Sequence, residues 1–140
     1  MEQIRNNLKK RSFDFDEIKK KRNTNSTLII NYEEKPVLFN PGLGRISKSA
    51  IAGLFMSQLL YWHQKGRNKD WTYKTINEFK EETCLTRSEQ ERAIKIWKEL
   101  GVLEVELRSI PRRRFFKINL GRLEELLKAE RKRRRAESNK

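Results

Sequence analysis

Three consecutive arginines stand between two stretches in which apolar and polar residues alternate, residues 102–108 and 115–120. Alternation with a period of two is typical of strands that bury one face, so Arg112, Arg113 and Arg114 are predicted at the tip of a β-hairpin. The guanidinium group carries a fixed fork of donors that matches phosphate oxygens. These residue types predict binding of a phosphate-rich partner rather than bond-making chemistry.

The sequence offers little for catalysis. His63 is the single histidine and has no cysteine or histidine near it in the sequence, so a metal role is not expected. Cys84 is the single cysteine, which excludes a thiolate-rich zinc site, and it is interpreted as a core residue. Gly42 and Gly44 are not followed by the Gly-Lys-Ser/Thr of a phosphate loop, and "NPGLGR" is predicted to be a simple connector. The carboxylates are spread among cations instead of clustering as a nuclease metal site requires. We therefore expect no enzyme activity, no cofactor and no metal.

The charge balance favours a polyanionic partner. The 140 residues include 33 Lys+Arg and 19 Asp+Glu, for a formal charge of +14 and a pI near 10.2. Such a surplus is typical of proteins that bind nucleic acid or an acidic membrane surface. The sequence has neither an apolar run of about 18 residues nor a signal segment, so a cytoplasmic, nucleoid-associated protein without a membrane partner is expected.

Two capping boxes predict a helix-turn-helix. Thr75 with Glu78 and Thr86 with Glu89 both fit Thr-x-x-Glu, in which each side chain caps the other residue's backbone amide. The boxes lie eleven residues apart, which leaves room for a helix of about two turns and a tight turn before a second helix that Gly101 ends. A longer amphipathic helix at 47–65 and a brief strand at 71–74 precede them.

The order helix, strand, helix, helix, strand, basic loop, strand is that of a winged helix-turn-helix, an α+β fold. The sequence predicts three segments. Residues 1–27 form a basic, partly disordered arm, residues 28–127 form the winged-helix domain with an added N-terminal β-hairpin near 27–40, and residues 128–140 form a basic tail. The tail is expected to be solvated, either as an extension of the last helix or as a frayed end.

Thirteen residues are predicted to touch duplex DNA. In a helix-turn-helix the second helix enters the major groove, which is about 12 Å wide, and its polar side chains approach base edges. The candidates on that helix are Arg87, Ser88, Gln90, Glu91, Arg92 and Lys95. The residues expected to anchor phosphates from the hairpin are Arg108, Arg112, Arg113, Arg114 and Lys117. Lys74, together with Lys80, is expected to add backbone contacts near the first helix of the motif.

A family resemblance accompanies these patterns. The segments "AIAGLFMSQLLYWHQK" and "WTYKTINEFKEETCLTRSEQERAIKIWKELGVLEV", with the return strand "RFFKINL", resemble the N-terminal winged-helix domain of replication proteins from phages, plasmids and other mobile elements. The similarity covers about residues 45–127. It implies origin binding, recruitment of a replicative helicase or its loader, and self-association, for example as a homodimer.

Other functions fit the same patterns. A winged-helix repressor would bind a short promoter palindrome as a tight dimer, and related domains bind RNA or dock proteins. A run of cations can also be a solvated face, and hairpin cations can serve to block edge pairing. Most aromatic residues, including Trp71, stand at core spacings and are interpreted as packing residues. Phe115 is the exception because it points away from Phe116 and is expected to meet a partner or the N-terminal hairpin.

Overall fold

The structure is a computed structural model that describes residues 35–66, 70–109 and 113–139. The chain divides between Pro36 and Val37, and every element below belongs to the unit Val37–Lys140. The predicted arm at 1–27 lies outside the described residues. So does most of the predicted N-terminal hairpin, and its described part, residues 35–40, contains no strand.

The described residues form an α+β fold with five helices and one three-stranded antiparallel sheet, which is compatible with the winged-helix class. The helices are α1 (Pro41–Ser47), α2 (Ala50–Lys65), α3 (Ile76–Thr83), α4 (Arg87–Glu99) and α5 (Leu120–Ser138). The strands are β1 (Thr72–Tyr73), β2 (Leu103–Arg108) and β3 (Arg113–Ile118), in the order β1-β3-β2. None of the described helices combines the length and the apolar character that a membrane span requires.

Helix α1 corrects the prediction that "NPGLGR" is a connector. The Asn40 side chain accepts a hydrogen bond from the Gly42 amide at 2.9 Å, and Pro41 occupies the first helical position, where no amide donor is needed. The glycines serve packing. A Cβ on Gly53 of α2 would lie 2.7 Å from the Gly44 backbone, so the two helices meet at a distance that only glycine allows.

Helix α2 forms the centre of the core, as its spacing predicts. The Ser49 side chain caps it by accepting a hydrogen bond from the Ala52 amide at 3.1 Å. Ala52, Phe55, Met56 and Leu59 are fully buried on one side of the helix. The rings of Phe55 and Phe79 of α3 stack with their centroids 4.6 Å apart, which fixes α3 against α2.

Both predicted capping boxes are confirmed. The Glu78 amide donates to Thr75 Oγ1 at 3.1 Å, and the Glu89 amide donates to Thr86 Oγ1 at 3.2 Å. In each box the glutamate side chain also accepts from the threonine amide. The starts of α3 and α4 are therefore defined by local side-chain chemistry.

The turn between α3 and α4 corrects the interpretation of Cys84 as a core residue. Cys84 adopts a left-handed backbone conformation with φ of 64° and its side chain is exposed. Leu85, the next residue, enters the core with 4% exposure. The left-handed residue ends α3 and is followed directly by a side chain that packs in the core.

The predicted hairpin is confirmed with a defined register. Strands β2 and β3 pair from Leu103 opposite Ile118 to Arg108 opposite Arg113. Successive side chains of a strand point to opposite faces, and Phe116 and Ile118 are buried on the inner face. On the edge of β3 away from β2, Thr72 of β1 pairs with Phe116.

Helix α5 runs through most of the predicted basic tail, to Ser138. Glu130 is 8% exposed and accepts a hydrogen bond from Arg45 Nε of α1 at 2.9 Å. The beginning of the predicted tail is therefore packed against the domain, whereas residues 131–138 are exposed.

A buried polar cluster joins α2, α3 and the residue after β1. Gln58 Nε2 and Trp62 Nε1 both donate to Glu82 Oε2, at 2.9 and 2.8 Å. Lys74 Nζ donates to Glu82 Oε1 at 2.5 Å. One carboxylate of α3 thus satisfies three donors from two other segments, which removes the cost of burying them unpaired.

Candidate nucleic-acid interface

Helix α4 presents a polar face to solvent. It begins at the second capping box and turns Ala93 and Trp97 toward the core. Five of the six residues predicted to face a groove are exposed along it: Arg87, Ser88, Glu91, Arg92 and Lys95. Arg87 Nε donates to Glu91 Oε1 at 3.1 Å, an exposed pair that a phosphate or base edge could displace at little cost.

Gln90, the sixth, is fully buried, and this corrects its prediction as a base-reading residue. Its Nε2 donates to the Ile76 carbonyl at 3.0 Å and to the Leu85 carbonyl at 2.9 Å. Its Oε1 accepts from Arg114 Nη2 at 2.7 Å. Gln90 therefore joins α3, the turn and the hairpin. Its spacing of three and seven residues from Ala93 and Trp97 was the signal that places it on the inner face.

Arg114 lies on the inner face of the hairpin instead of extending from its tip. Its guanidinium carbon lies 5.2 Å from the Phe116 ring centroid, and its Nε is buried with no hydrogen-bond partner among the described residues. Burial lowers the pKa of Arg114 to about 10, an effect that Glu91 opposes and Arg87 reinforces. Arg114 is therefore charged at neutral pH, and its bond to Gln90 holds β3 against α4.

The other hairpin cations point elsewhere. Arg113 and Lys117 are exposed at outward positions of β3, and Arg113, at the end of the strand, also lines a basic cleft between β3 and the helices. Arg108 is half-buried on the same face, where Nη2 donates to Glu106 Oε2 at 3.0 Å. Arg112 lies outside the described residues. The arginines predicted as one anchor are thus divided between the two faces of the sheet, as strand alternation requires.

Lys74 is also corrected, because it is buried at 5% exposure. Besides Glu82 it contacts Glu78 Oε2 at 3.3 Å, and its Nζ lies 3.7 Å from the Trp62 ring centroid. These contacts occupy its donors and cover its charge. Lys74 is a structural residue rather than a phosphate contact.

A basic cleft of about 390 Å³ lies where α3, α4 and β3 meet. It collects four cations from separate elements. Its lining residues are Thr75, Ile76, Asn77, Lys80, Arg87, Arg113 and Arg114. The first turn of α3 also borders the cleft through Thr75, Ile76 and Asn77. The cleft is large enough to admit a phosphate group, and its four cations are donors that suit one.

The described residues contain no group of three or more histidine, cysteine or acidic side chains that could hold a metal ion. Comparison with protein-family models, with curated proteins and with solved structures found no match.

Replacing Gln90 by alanine is expected to lower the free energy of unfolding by about 2–4 kcal/mol, because it removes three hydrogen bonds and leaves a cavity. Urea denaturation followed by circular dichroism measures the loss. Ser88→Ala, an exposed change on the same helix, is the matched control and should cost less than about 0.5 kcal/mol. A Gln90→Ala variant of unchanged stability whose preference among DNA sequences is altered would restore the base-reading role.

Proposed function

We propose that this protein binds double-stranded DNA as a winged helix-turn-helix. Helix α4 enters the major groove with its exposed polar face, and the β2–β3 hairpin lies over the neighbouring phosphates. Arg87 and Arg92 suit guanine or phosphate oxygens, and Glu91 suits the exocyclic amine of cytosine. The exposed face of α4 supports this way of binding DNA, because the five predicted residues that are exposed on it are all polar.

The basic cleft is the observation that carries the proposal. Lys80, Arg87 and Arg113 converge on it from α3, α4 and β3, and Arg114 lines it with an Nε donor that has no partner among the described residues. The lining contains four cations and no carboxylate, and Glu91, which pairs with Arg87 from outside the lining, balances only part of their charge, so the cleft favours an anion. A backbone phosphate beside the groove that α4 occupies has the negative charge that these cations attract and is small enough to enter the cleft.

The biological role that we propose is initiation of replication of a phage, virus or plasmid-like element, with a helicase or its loader as a partner and homodimers as the active form. The resemblance of residues 45–127 to such replication proteins supports this role. Selection of bound duplexes from a random pool tests it. Repeated or A·T-rich origin sites would support replication, whereas a single promoter palindrome would indicate a repressor.

The protein is expected to bind duplex DNA with a strong dependence on salt. If roughly four to six phosphates are neutralised, the logarithm of the affinity falls with the logarithm of salt at a slope of about −4 to −5. Raising the salt from about 0.05 to 0.2 M should weaken binding roughly 100- to 1,000-fold. Fluorescence anisotropy with a labelled duplex measures the slope. Matched duplex RNA is the control, because its narrow major groove does not admit a helix; equal affinity for both would contradict the proposal.

A further inference from the structure

The outer face of the sheet carries three aromatic side chains that are only half-buried. Tyr73 of β1 lies opposite Phe115 of β3, and their ring centroids are 5.3 Å apart. Trp71 precedes β1 and shares its outward side. These rings keep part of their surface accessible to solvent, so this face carries apolar surface outside the core.

Cations lie over each of these rings. The guanidinium carbon of Arg108 is 4.7 Å from the Trp71 centroid and 4.9 Å from the Phe115 centroid. Arg113 lies 5.4 Å from the Tyr73 centroid, and Lys117 Nζ lies 5.8 Å from the Trp71 centroid. We call the surface formed by Trp71, Tyr73, Phe115, Arg108 and Lys117 the aromatic platform.

We propose that the aromatic platform binds single-stranded DNA. Exposed bases stack on aromatic rings and on the planes of arginine side chains, while neighbouring cations hold the phosphates. A protein partner fits less well, because an apolar surface laid on this face would bury its cations away from water. The choice of DNA over RNA as the single strand rests on the duplex-binding function proposed above.

The platform lies on the opposite side of the sheet from the helix that we propose to enter the duplex. Arg114 points inward to Gln90 of α4, and its neighbour Phe115 points outward to Tyr73. A duplex on α4 would contact Arg113 at the end of β3 but would leave the rings of the platform free. One domain could hold paired DNA on one side of the sheet and an unpaired strand on the other.

Stacking must supply most of this affinity. Glu104 and Glu106 share the outer face with Arg108, Arg113 and Lys117, so cations exceed carboxylates there by only one. When a base stacks on the rings, it displaces the guanidinium group of Arg108 from them. Arg108 then exchanges its bond with Glu106 for a bond with a phosphate. The decisive variants are therefore those that remove a ring and leave the charge unchanged.

Single-strand binding is tested with a labelled oligothymidine of about 12 nucleotides, a length within the range that one small domain covers. Phe115→Ala and Trp71→Leu should each weaken it roughly 5- to 100-fold, whereas Phe115→Tyr, which keeps the ring, should bind as the unchanged protein does. Circular dichroism melting checks that each variant is folded. If Phe115→Ala does not fold, Trp71→Leu still tests the platform, because leucine retains apolar bulk at that position.

The same proteins are titrated with duplex DNA. Loss of oligothymidine binding with unchanged duplex binding supports the platform. Folded ring variants that bind oligothymidine as tightly as the unchanged protein overturn it, as does tighter binding of a matched oligouridine. Absence of duplex binding while ring-dependent oligothymidine binding persists would reject the proposed duplex function and leave the platform standing.

Discussion

Replacing Lys80, Arg87 and Arg113 together by alanine is expected to lower duplex affinity on the order of 100-fold at about 0.1 M salt. The three cations line the basic cleft from three different elements, so their loss removes the site at which a phosphate would be held. Each neutralised phosphate contributes about 0.9 to the salt slope, and the slope should therefore flatten by roughly 2 to 3. Anisotropy titrations across a salt series measure both quantities.

Arg114 is left in place in this variant because its bond to Gln90 stabilises the fold. The substituted side chains are exposed, so circular dichroism and the melting temperature should change little. The matched control replaces Arg131, Lys132 and Arg134, three exposed cations of α5 that do not line the cleft. It removes the same charge. Equal losses in the two variants would mean that net charge, and not the cleft, sets the affinity.

The sequence predicted best those elements whose formation depends on residues close together in the chain. The capping boxes of Thr75 and Thr86 are closed by glutamates three positions later, and the hairpin follows a period-two alternation between β2 and β3. Helix α1 was not predicted, because glycines usually interrupt a helix. Their role depends on the approach of Gly44 to Gly53 across two helices, which no local pattern records.

The predicted site also contains residues whose placement follows from local spacing and residues whose placement does not. Arg87 and Arg92 are exposed because helical spacing from Trp97 puts them outside, and that spacing also assigns Gln90 to the inside. The burial of Lys74 could not be predicted from the residues next to it in the sequence. It depends on Glu82 eight residues later and on Trp62 twelve residues earlier, which meet it only in the folded chain.

The sequence also did not predict which face of the sheet is left uncovered. Trp71 has a spacing that fits a core residue, yet its ring lies under Arg108 on the half-exposed side. Phe115 is confirmed as pointing away from buried Phe116. Strand alternation fixes on which side a residue lies, but which side is covered is decided by the helices that pack on the sheet.

The proposed function requires that α3, α4 and the hairpin keep fixed positions, and two buried polar contacts provide this. Gln90 joins α3 and α4 to Arg114 of the hairpin. Glu82 joins α3 to Gln58 and Trp62 of α2 and to Lys74 after β1. Preorganised elements lose less conformational freedom on binding, so we expect these contacts to raise the affinity for the proposed partner without touching it.

Glu82→Ala is expected to lower the free energy of unfolding by about 3–5 kcal/mol, because it leaves the buried ammonium of Lys74 with a single, more distant carboxylate. Gln58 Nε2 and Trp62 Nε1 lose their acceptor in the same variant. Urea denaturation measures the loss. The matched control is Glu81→Ala, the adjacent exposed carboxylate of α3, which should cost less than about 0.5 kcal/mol. In a double-mutant cycle with Lys74→Met the two losses should be strongly non-additive, and simple additivity would show that the Lys74–Glu82 pair does not stabilise the fold as a unit.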